Sequence, residues 1–273
     1  MTNREATMRI DVSAGGFQGL LFLRLAERNF DIGRVEIVEK DIDDSVNQAL
    51  RVYAERHQGG DSLASYHVFV GWPKLVVPEP GMIVIHDSLL PRYKGHCPVV
   101  TALINGDRQI GVTAFEPSAA PDSGKILAAV PVAVEYPAKV KDVYEALAPC
   151  QITVLERAIH EPLQGQTEQR FCESYSMWRD EDDYVIEWGM DAGWIARFID
   201  AVGYPFKGAS TADTKGTTYR ILDAEPCGDA LIGNRTPGKV FSLHDHPVVV
   251  CGTGLLRVVH SVPEIKRLKT RLV

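Results

Sequence analysis

Apolar positions recur in two different rhythms along the first two thirds of the chain. Residues 8–13 (MRIDVS) read as a strand that runs through the glycine-rich AGGFQG into the helical pattern LLFLRLAER. A short strand at 35–38, a helix at 45–56 and two buried-strand runs at 67–70 (HVFV) and 81–85 (GMIVI) follow. The spacing next predicts a helix at 98–104, with Pro98 suited to its first turn, and strands at 111–115 and 125–134. A long helix at 139–159 follows, in which Pro149 is expected to introduce a kink. Strands alternating with helices in this way predict an α/β domain with a mainly parallel, Rossmann-like sheet.

The texture then changes. Residues 161–170 are polar, carry Pro162 and Gly165, and read as a linker. In a helix at 191–202, Trp194, Phe198 and Val202 recur every four residues beside Ile195 and Ile199. Short strand-like runs at 217–224, 238–243, 247–251 and 255–262, punctuated by Gly and Pro, predict a small β-rich, OB-like barrel. The expected division is a larger domain at 1–165, a linker with a helix at 166–204 and a small barrel at 205–273.

Composition narrows the classes. The 273 residues carry 45% hydrophobic and 24% charged side chains, an ordinary globular balance able to bury a core without metals or disulfides. No apolar run reaches a membrane span, and residues 1–9 lack the apolar core of a secretory signal, so a cytoplasmic protein is expected. The five cysteines include no CxxC pair and read as reduced, mostly buried thiols. The formal net charge of −7 argues against a nucleic-acid partner. Residues 205–273 run the other way, with ten Lys/Arg against six Asp/Glu, and KRLKTR at 266–271 reads as a solvated tail. His244 and His246 lack a third ligand, so no metal site is expected. AGGFQG lacks the full GxGxxG spacing and reads as a tight strand-to-helix turn, with a phosphate contact at the helix start as the alternative.

The stretch 81–127 holds the candidate chemistry. One buried strand ends in His86, and a carboxyl-terminal strand edge is where α/β folds place ligands. A second strand ends near Phe115 and leads into PSAAPDSG, which contains Asp122. Two strand ends are thereby expected to bring an imidazole and a carboxylate to one face, where the carboxylate fixes the imidazole tautomer.

IHDSLLPRYKG, followed by LINGDRQIGVTAFEPSAAPDSGKIL, resembles the signature of the N10-formyltetrahydrofolate-dependent formyltransferases. That family includes enzymes acting on methionyl-tRNA, on glycinamide ribonucleotide and on amino sugars. HVFVGWPKL, SMWRDEDDYVIEW, IARFIDAVGYPFKGA, TPGKV and CGTGLLRV extend the resemblance over nearly the whole chain, in the two-part layout of the tRNA and sugar branches. The resemblance implies that His86 and Asp122 are the catalytic pair. It implies that Ser88, Leu89, Leu90 and Pro91 form a folate-contacting loop, and that Ser118, Ala119, Ala120 and Pro121 form the loop closing on the pterin. Trp72 is expected to line that pocket, and His96 stands where a sugar-branch relative has a folate-contacting arginine. Trp178 and Tyr184, near the acidic linker, are candidate acceptor contacts; Trp188 is another.

Two positions depart from the family pattern: Val84 stands where asparagine is usual, and Asp87 where proline is usual. Valine cannot donate a hydrogen bond to a formyl oxygen, and one lost oxyanion donor typically costs roughly 100- to 1000-fold in turnover. The resemblance and the charge together point to formyl transfer from N10-formyltetrahydrofolate to a nucleotide-linked amino sugar, with a homodimer as the expected assembly. The alternatives are formylation of methionyl-tRNA, hydrolysis of formyltetrahydrofolate, or a non-catalytic folate-binding module.

Overall fold

The computed structural model describes residues 8–58, 64–163, 172–242, 245–266 and 270–273, and its contacts divide the chain into two units. The first comprises residues 1–99, 108–134 and 142–178. Its elements begin with β1 (Arg9–Gly15), α1 (Gly16–Asn29), β2 (Asp31–Val38), α2 (Asp44–Arg56), β3 (Tyr66–Val70) and β4 (Met82–His86). They continue with β5 (Lys94–Gly95), α3 (Pro98–Asn105), β6 (Gln109–Phe115), β7 (Ile126–Ala133), α4 (Val140–His160) and β8 (Tyr175–Ser176), of which α3 and the start of α4 extend into residues of the second unit.

Six of these strands form one sheet in the order β2-β1-β3-β4-β6-β7. The first four are parallel, while β6 runs antiparallel to β4 and β7 antiparallel to β6. Ile10, Val12, Val68, Val70, Ile83, Ile85, Val112 and Ala114 are all nearly inaccessible, because central strands of such a sheet are covered on both faces. Leu20, Phe22 and Leu23 of α1 and Leu147, Val154 and Leu155 of α4 are buried with them. The start of α2 is fixed by Asp43, whose carboxylate accepts from the Ser45 amide at 3.0 Å. Pro149 lies inside α4, which runs unbroken from Val140 to His160.

The direction of β6 differs from what the sequence suggests. Phe115, its last residue, pairs with Val84, and Thr113 pairs with His86, so β6 ends beside the middle of β4. Two carboxyl-terminal strand ends do not share an edge. Residues 116–125 make a loop closed by the Glu116 amide donating to the Lys125 carbonyl at 3.0 Å.

The second unit comprises residues 100–107, 135–141 and 179–273, so residues 179–204, set apart in the sequence as a linker, belong to it. Asp191 caps α5 (Ala192–Ala201) by accepting from the amides of Gly193 and Trp194. Five antiparallel strands follow: β9 (Ala209–Ala212), β10 (Thr218–Pro226), β11 (Val240–Ser242), β12 (Val248–Val250) and β13 (Leu255–Val262), in the order β11-β12-β13-β10-β9. Ile195, Ile199, Ile221 and Leu256 are its fully buried centre. Trp194 stacks on Phe198 with ring centres 5.5 Å apart.

KRLKTR is not wholly a solvated tail. Residues 267–269 lie outside the described residues, but 270–273 bridge both edges of the five-stranded sheet. Val273 and Ala212, the last residue of β9, exchange hydrogen bonds of 2.7 and 3.1 Å. Val240, at the start of β11, donates to the Thr270 carbonyl at 2.9 Å, and Leu272 donates to the Gly238 carbonyl at 2.8 Å. Gly238 has φ +82, and a Cβ there would strike the Leu272 carbonyl oxygen, so this approach requires glycine. The sheet edges are thereby joined, which removes the unpaired strand edges that favour aggregation. The cysteine expectation also needs correction: all five are free thiols, but only Cys251 is buried, Cys172 is exposed and the others are intermediate. Burial pushes the Cys251 thiol up to about 12, so it is unreactive at neutral pH.

Leu272 is 1% exposed at the point of closure. Leu272→Ala is expected to cost about 2–5 kcal/mol, as for other buried leucines. Urea unfolding followed in the second unit checks this; an unchanged midpoint would show that the joined edges contribute nothing to stability.

Candidate functional site

A cavity of about 400 Å³ opens at the carboxyl ends of β2, β3 and β4 in the first unit. Its wall includes Lys40, just past β2, Trp72, just past β3, and Val84, His86 and Asp87 at the end of β4. His96, Cys97, Ser118, Ala120, Pro121 and Asp122 complete the side nearest the loop.

His86 is 9% exposed, and its ring is oriented by two neighbours. Nε2 lies 2.9 Å from the Tyr93 carbonyl. A carbonyl only accepts, so Nε2 carries a proton. Nδ1 faces Asp122 Oδ2 at 3.8 Å, an ion-pair distance that is too long for a hydrogen bond. Asp122 has φ +46 and sits in the loop that returns from β6. Its Oδ2 accepts from the Gly95 amide at 2.6 Å. The buried Lys94 donates from Nζ to Ser123 Oγ at 2.8 Å and to Glu173 Oε1 at 3.0 Å. RYKG therefore has a structural meaning: the Tyr93 carbonyl holds the imidazole, the Gly95 amide holds the carboxylate, and Lys94 holds the loop that carries it. β5 is in turn anchored to β8, with Lys94 donating to the Ser174 carbonyl and His96 to the Ser176 carbonyl.

SLLP stands beside the cavity and is tied to the following turn and to β6. Ser88 Oγ donates to the Arg92 carbonyl at 2.7 Å, while Thr113 Oγ1 donates to the Ser88 carbonyl and accepts from the Leu90 amide. Leu89 packs on Gly111, and the Pro91 carbonyl accepts from the Ser174 amide. Ser88, Leu89, Leu90 and Pro91 thus shape the turn after His86 without lining the cavity, and Ala119 also lies outside its wall. Trp178 is exposed, whereas Tyr184 is buried with its ring tilted against Phe206. Trp188 is buried too, donating from Nε1 to Thr211 Oγ1 at 2.9 Å, which removes it as a surface contact for an acceptor.

The cavity also contains groups that sequence reasoning passed over: Gln18, Lys40, Phe69, Lys74 and Cys97. Lys40 follows a strand too far in sequence from His86 for any local pattern to connect them. The AGGFQG turn gave a partial signal, since Gly16 adopts φ +67 and a Cβ there would lie 2.8 Å from Gln18 Oε1 and 3.1 Å from Lys40 Cδ. Burial pushes the Lys40 ammonium below its usual range, opposed by the Cys97 and Asp87 charges.

Asp87 is buried and accepts from Gln151 Nε2 at 2.7 Å. Burial pushes its carboxyl up, opposed by the Gln151 hydrogen bond and the charges of His86 and Lys40. Gln151 Oε1 is buried with no hydrogen-bond partner. Among the described residues no cluster of three or more His, Cys, Asp or Glu side chains could hold a metal ion, and no helix is long and apolar enough to cross a membrane.

Two family models match the chain: Formyl transferase over residues 40–159, and Formyl transferase, C-terminal domain, over residues 179–270. The chain belongs to the formyl transferase family. It is a formyltransferase with a parallel-rich α/β domain followed by an antiparallel β domain. A relative from Methylobacillus flagellatus, named methionyl-tRNA formyltransferase, is 29% identical over 227 residues, 81% of this chain and 71% of its own. The solved structure of WlaRD, a sugar 3N-formyl transferase in the presence of dTDP and 5-N-formyl-THF, superposes with a TM-score of 0.64 at 13% identity, covering 95% of this chain and all of its own. HypX from Aquifex aeolicus in complex with tetrahydrofolic acid gives a TM-score of 0.64 at 16% identity, over 98% of this chain and 46% of its own. At such identities the likeness to these structures is one of fold.

An Asp87 carboxyl raised in the folded state stabilises the fold fully below its unfolded value of about 4 and progressively less as pH climbs through the folded value. Asp87→Asn, whose amide can pair with Gln151 without carrying charge, is expected to flatten that decline. Melting temperatures of both proteins between pH 4 and pH 9 test it; parallel profiles would place Asp87 outside the pH response.

Proposed function

We propose that the enzyme transfers the formyl group of N10-formyltetrahydrofolate to the primary amine of a nucleotide-linked amino sugar, at the cavity that holds His86 and Asp122. The observation that carries this reading is the placement of that pair. A histidine proton fixed by the Tyr93 carbonyl and a carboxylate fixed by the Gly95 amide meet at one wall of a cavity able to take a pterin-sized ring. The acceptor nitrogen bonds to the formyl carbon, the bond from that carbon to N10 breaks, and the proton lost by the amine balances the one gained at N10. His86 meets the charge that builds on the formyl oxygen and assists the proton's passage, while Asp122 orients the imidazole and receives the amine proton directly or through water. Trp72, His96, Ser118, Ala120 and Pro121 form the surrounding wall. Holding the carbonyl in register contributes much of the acceleration.

The amino-sugar acceptor is supported by the net charge of −7, which disfavours a broad phosphate-binding surface. A related fold comes from Helicobacter canadensis, an N-formyltransferase solved with folinic acid and dTDP-3-aminofucose, which superposes with a TM-score of 0.60. The names of the sequence relatives favour a second reading, methionyl-tRNA as acceptor. The first reading places the protein in the cytoplasm, as a homodimer, acting on small molecules and free of nucleic acid and membrane.

Incubation with N10-formyltetrahydrofolate and a panel of nucleotide-linked amino sugars is expected to add one formyl mass to a member of the panel. Formylation of methionyl-tRNA alone would replace the sugar reading with the tRNA one, and formate release without any amine would indicate hydrolysis. His86→Ala and Asp122→Ala are each expected to lower turnover at least 100-fold, as for removal of other catalytic groups, while folate binding changes little. Full activity in either variant removes that residue from the chemistry.

A further inference from the structure

Transfer at this cavity needs a hydrogen-bond donor for the formyl oxygen, and Val84 supplies none. His86 only partly fills the gap, since Nε2 is held by the Tyr93 carbonyl and Nδ1 is turned to Asp122. The other side chains of the wall with N–H groups are Gln18, Lys40, Trp72, Lys74 and His96, of which the Trp72 indole is uncharged and packs edge-on against Phe69. Lys74 and His96 are exposed, and the Lys74 ammonium rests 5.3 Å above the Trp72 ring. Gln18 lies over Gly16.

Lys40 is different, because the fold is arranged around it. The buried Asn47 side chain grips both backbone groups of Lys40: its Oδ1 accepts from the Lys40 amide at 3.2 Å and its Nδ2 donates to the Lys40 carbonyl at 2.9 Å. The lysine stem then passes over Gly16, where any Cβ would meet Cδ at 3.1 Å and Nζ at 3.4 Å. The left-handed glycine thus clears the path by which the side chain enters the cavity. The ammonium lies within electrostatic reach of Asp87, the neighbour of His86 on β4, and of Cys97 on the facing loop. Both hydrogen bonds to Asn47 are made by the Lys40 backbone, so neither engages the ammonium.

We propose that the Lys40 ammonium is a second catalytic donor that, with His86, meets the formyl oxygen as negative charge builds on it, in the role that Val84 cannot fill. The inference rests on the formyl-donor reading of this cavity. Burial that lowers an ammonium's proton affinity also makes it a stronger hydrogen-bond donor, which fits this role. No bond to Lys40 is made or broken; its proton is shared with the oxygen while the tetrahedral centre exists and is retained when the C–N10 bond breaks.

The test needs no acceptor. A stable 5,8-dideaza analogue of the donor, carrying a 13C-labelled formyl group, is bound to the wild type, Lys40→Met, Lys40→Gln and the double variant Lys40→Met/Val84→Asn. Isotope-edited infrared spectra report the formyl C=O stretch, and titration reports affinity. In the wild type the bound stretch is expected to move to lower wavenumber than in water-free solvent. Lys40→Met should lose that shift with affinity little changed, Lys40→Gln should keep part of it, and restoring an amide at 84 should recover it. With an identified acceptor, turnover of Lys40→Met should fall on the order of 100- to 1000-fold with little change in KM. If the shift survives in Lys40→Met, or survives undiminished in Lys40→Gln where the methionine variant does not fold, Lys40 has no such role and the donor site stands. A shift that Val84→Asn fails to recover also overturns the assignment. Failure of the wild type to bind the analogue overturns the donor reading and the Lys40 role together.

Discussion

The site depends on a carboxylate being brought back to a strand end that its own strand has already left. β6 stops beside the middle of β4, so Asp122 reaches His86 only because residues 116–125 double back. An exposed loop of small residues does not hold such a course unaided. The two-residue strand β5 supplies the hold: one amide on the carboxylate, one ammonium on the adjacent serine and, from Tyr93 next to it, one carbonyl on the imidazole. β5 is itself paired with β8 from a distant part of the chain. Alignment of the two titratable groups is thus a property of tertiary structure, set by backbone atoms whose positions do not depend on protonation.

The same edge of the sheet carries charges of opposite tendency. Burial disfavours the ionised form of both Lys40 and Asp87, and each is the other's partial compensation. Asp87 leans instead on an uncharged partner, Gln151. A neutral carboxyl there would leave the ammonium with less to hold it inside the protein and more to offer an incoming oxygen.

Much of this was legible in the residues. The runs HVFV and GMIVI are buried strands because both faces of the sheet are covered, and IHDSLLPRYKG with PDSG carried the family and the His86–Asp122 pair. Other features were not, for physical reasons. Strand direction leaves no mark in periodicity, so β6 read as readily parallel as antiparallel. β9, with the sequence ASTA, lacks bulky apolar residues and is a strand only because β10 pairs with it. SLLP marks a place in the chain, whereas the course of that loop is held by Thr113, buried and bonded to the Ser88 carbonyl and the Leu90 amide, which no motif connects to it. Lys40 could not be singled out, since its relation to His86 passes through Gly16 and Asn47, which lie on two other elements.

The joining of β9 and β11 by residues 270–273 has a consequence for how the protein is made. Residue 212 waits for residue 273, and residue 240 for residue 270, before either edge is covered. During synthesis these residues leave the ribosome after every other strand of their unit, so the ring cannot close while the chain is still being translated through it. Until residues 270–273 emerge, β9 and β11 are open borders able to pair with a neighbouring nascent chain, and the hazard for this unit lasts from the emergence of β9 to that of these four residues.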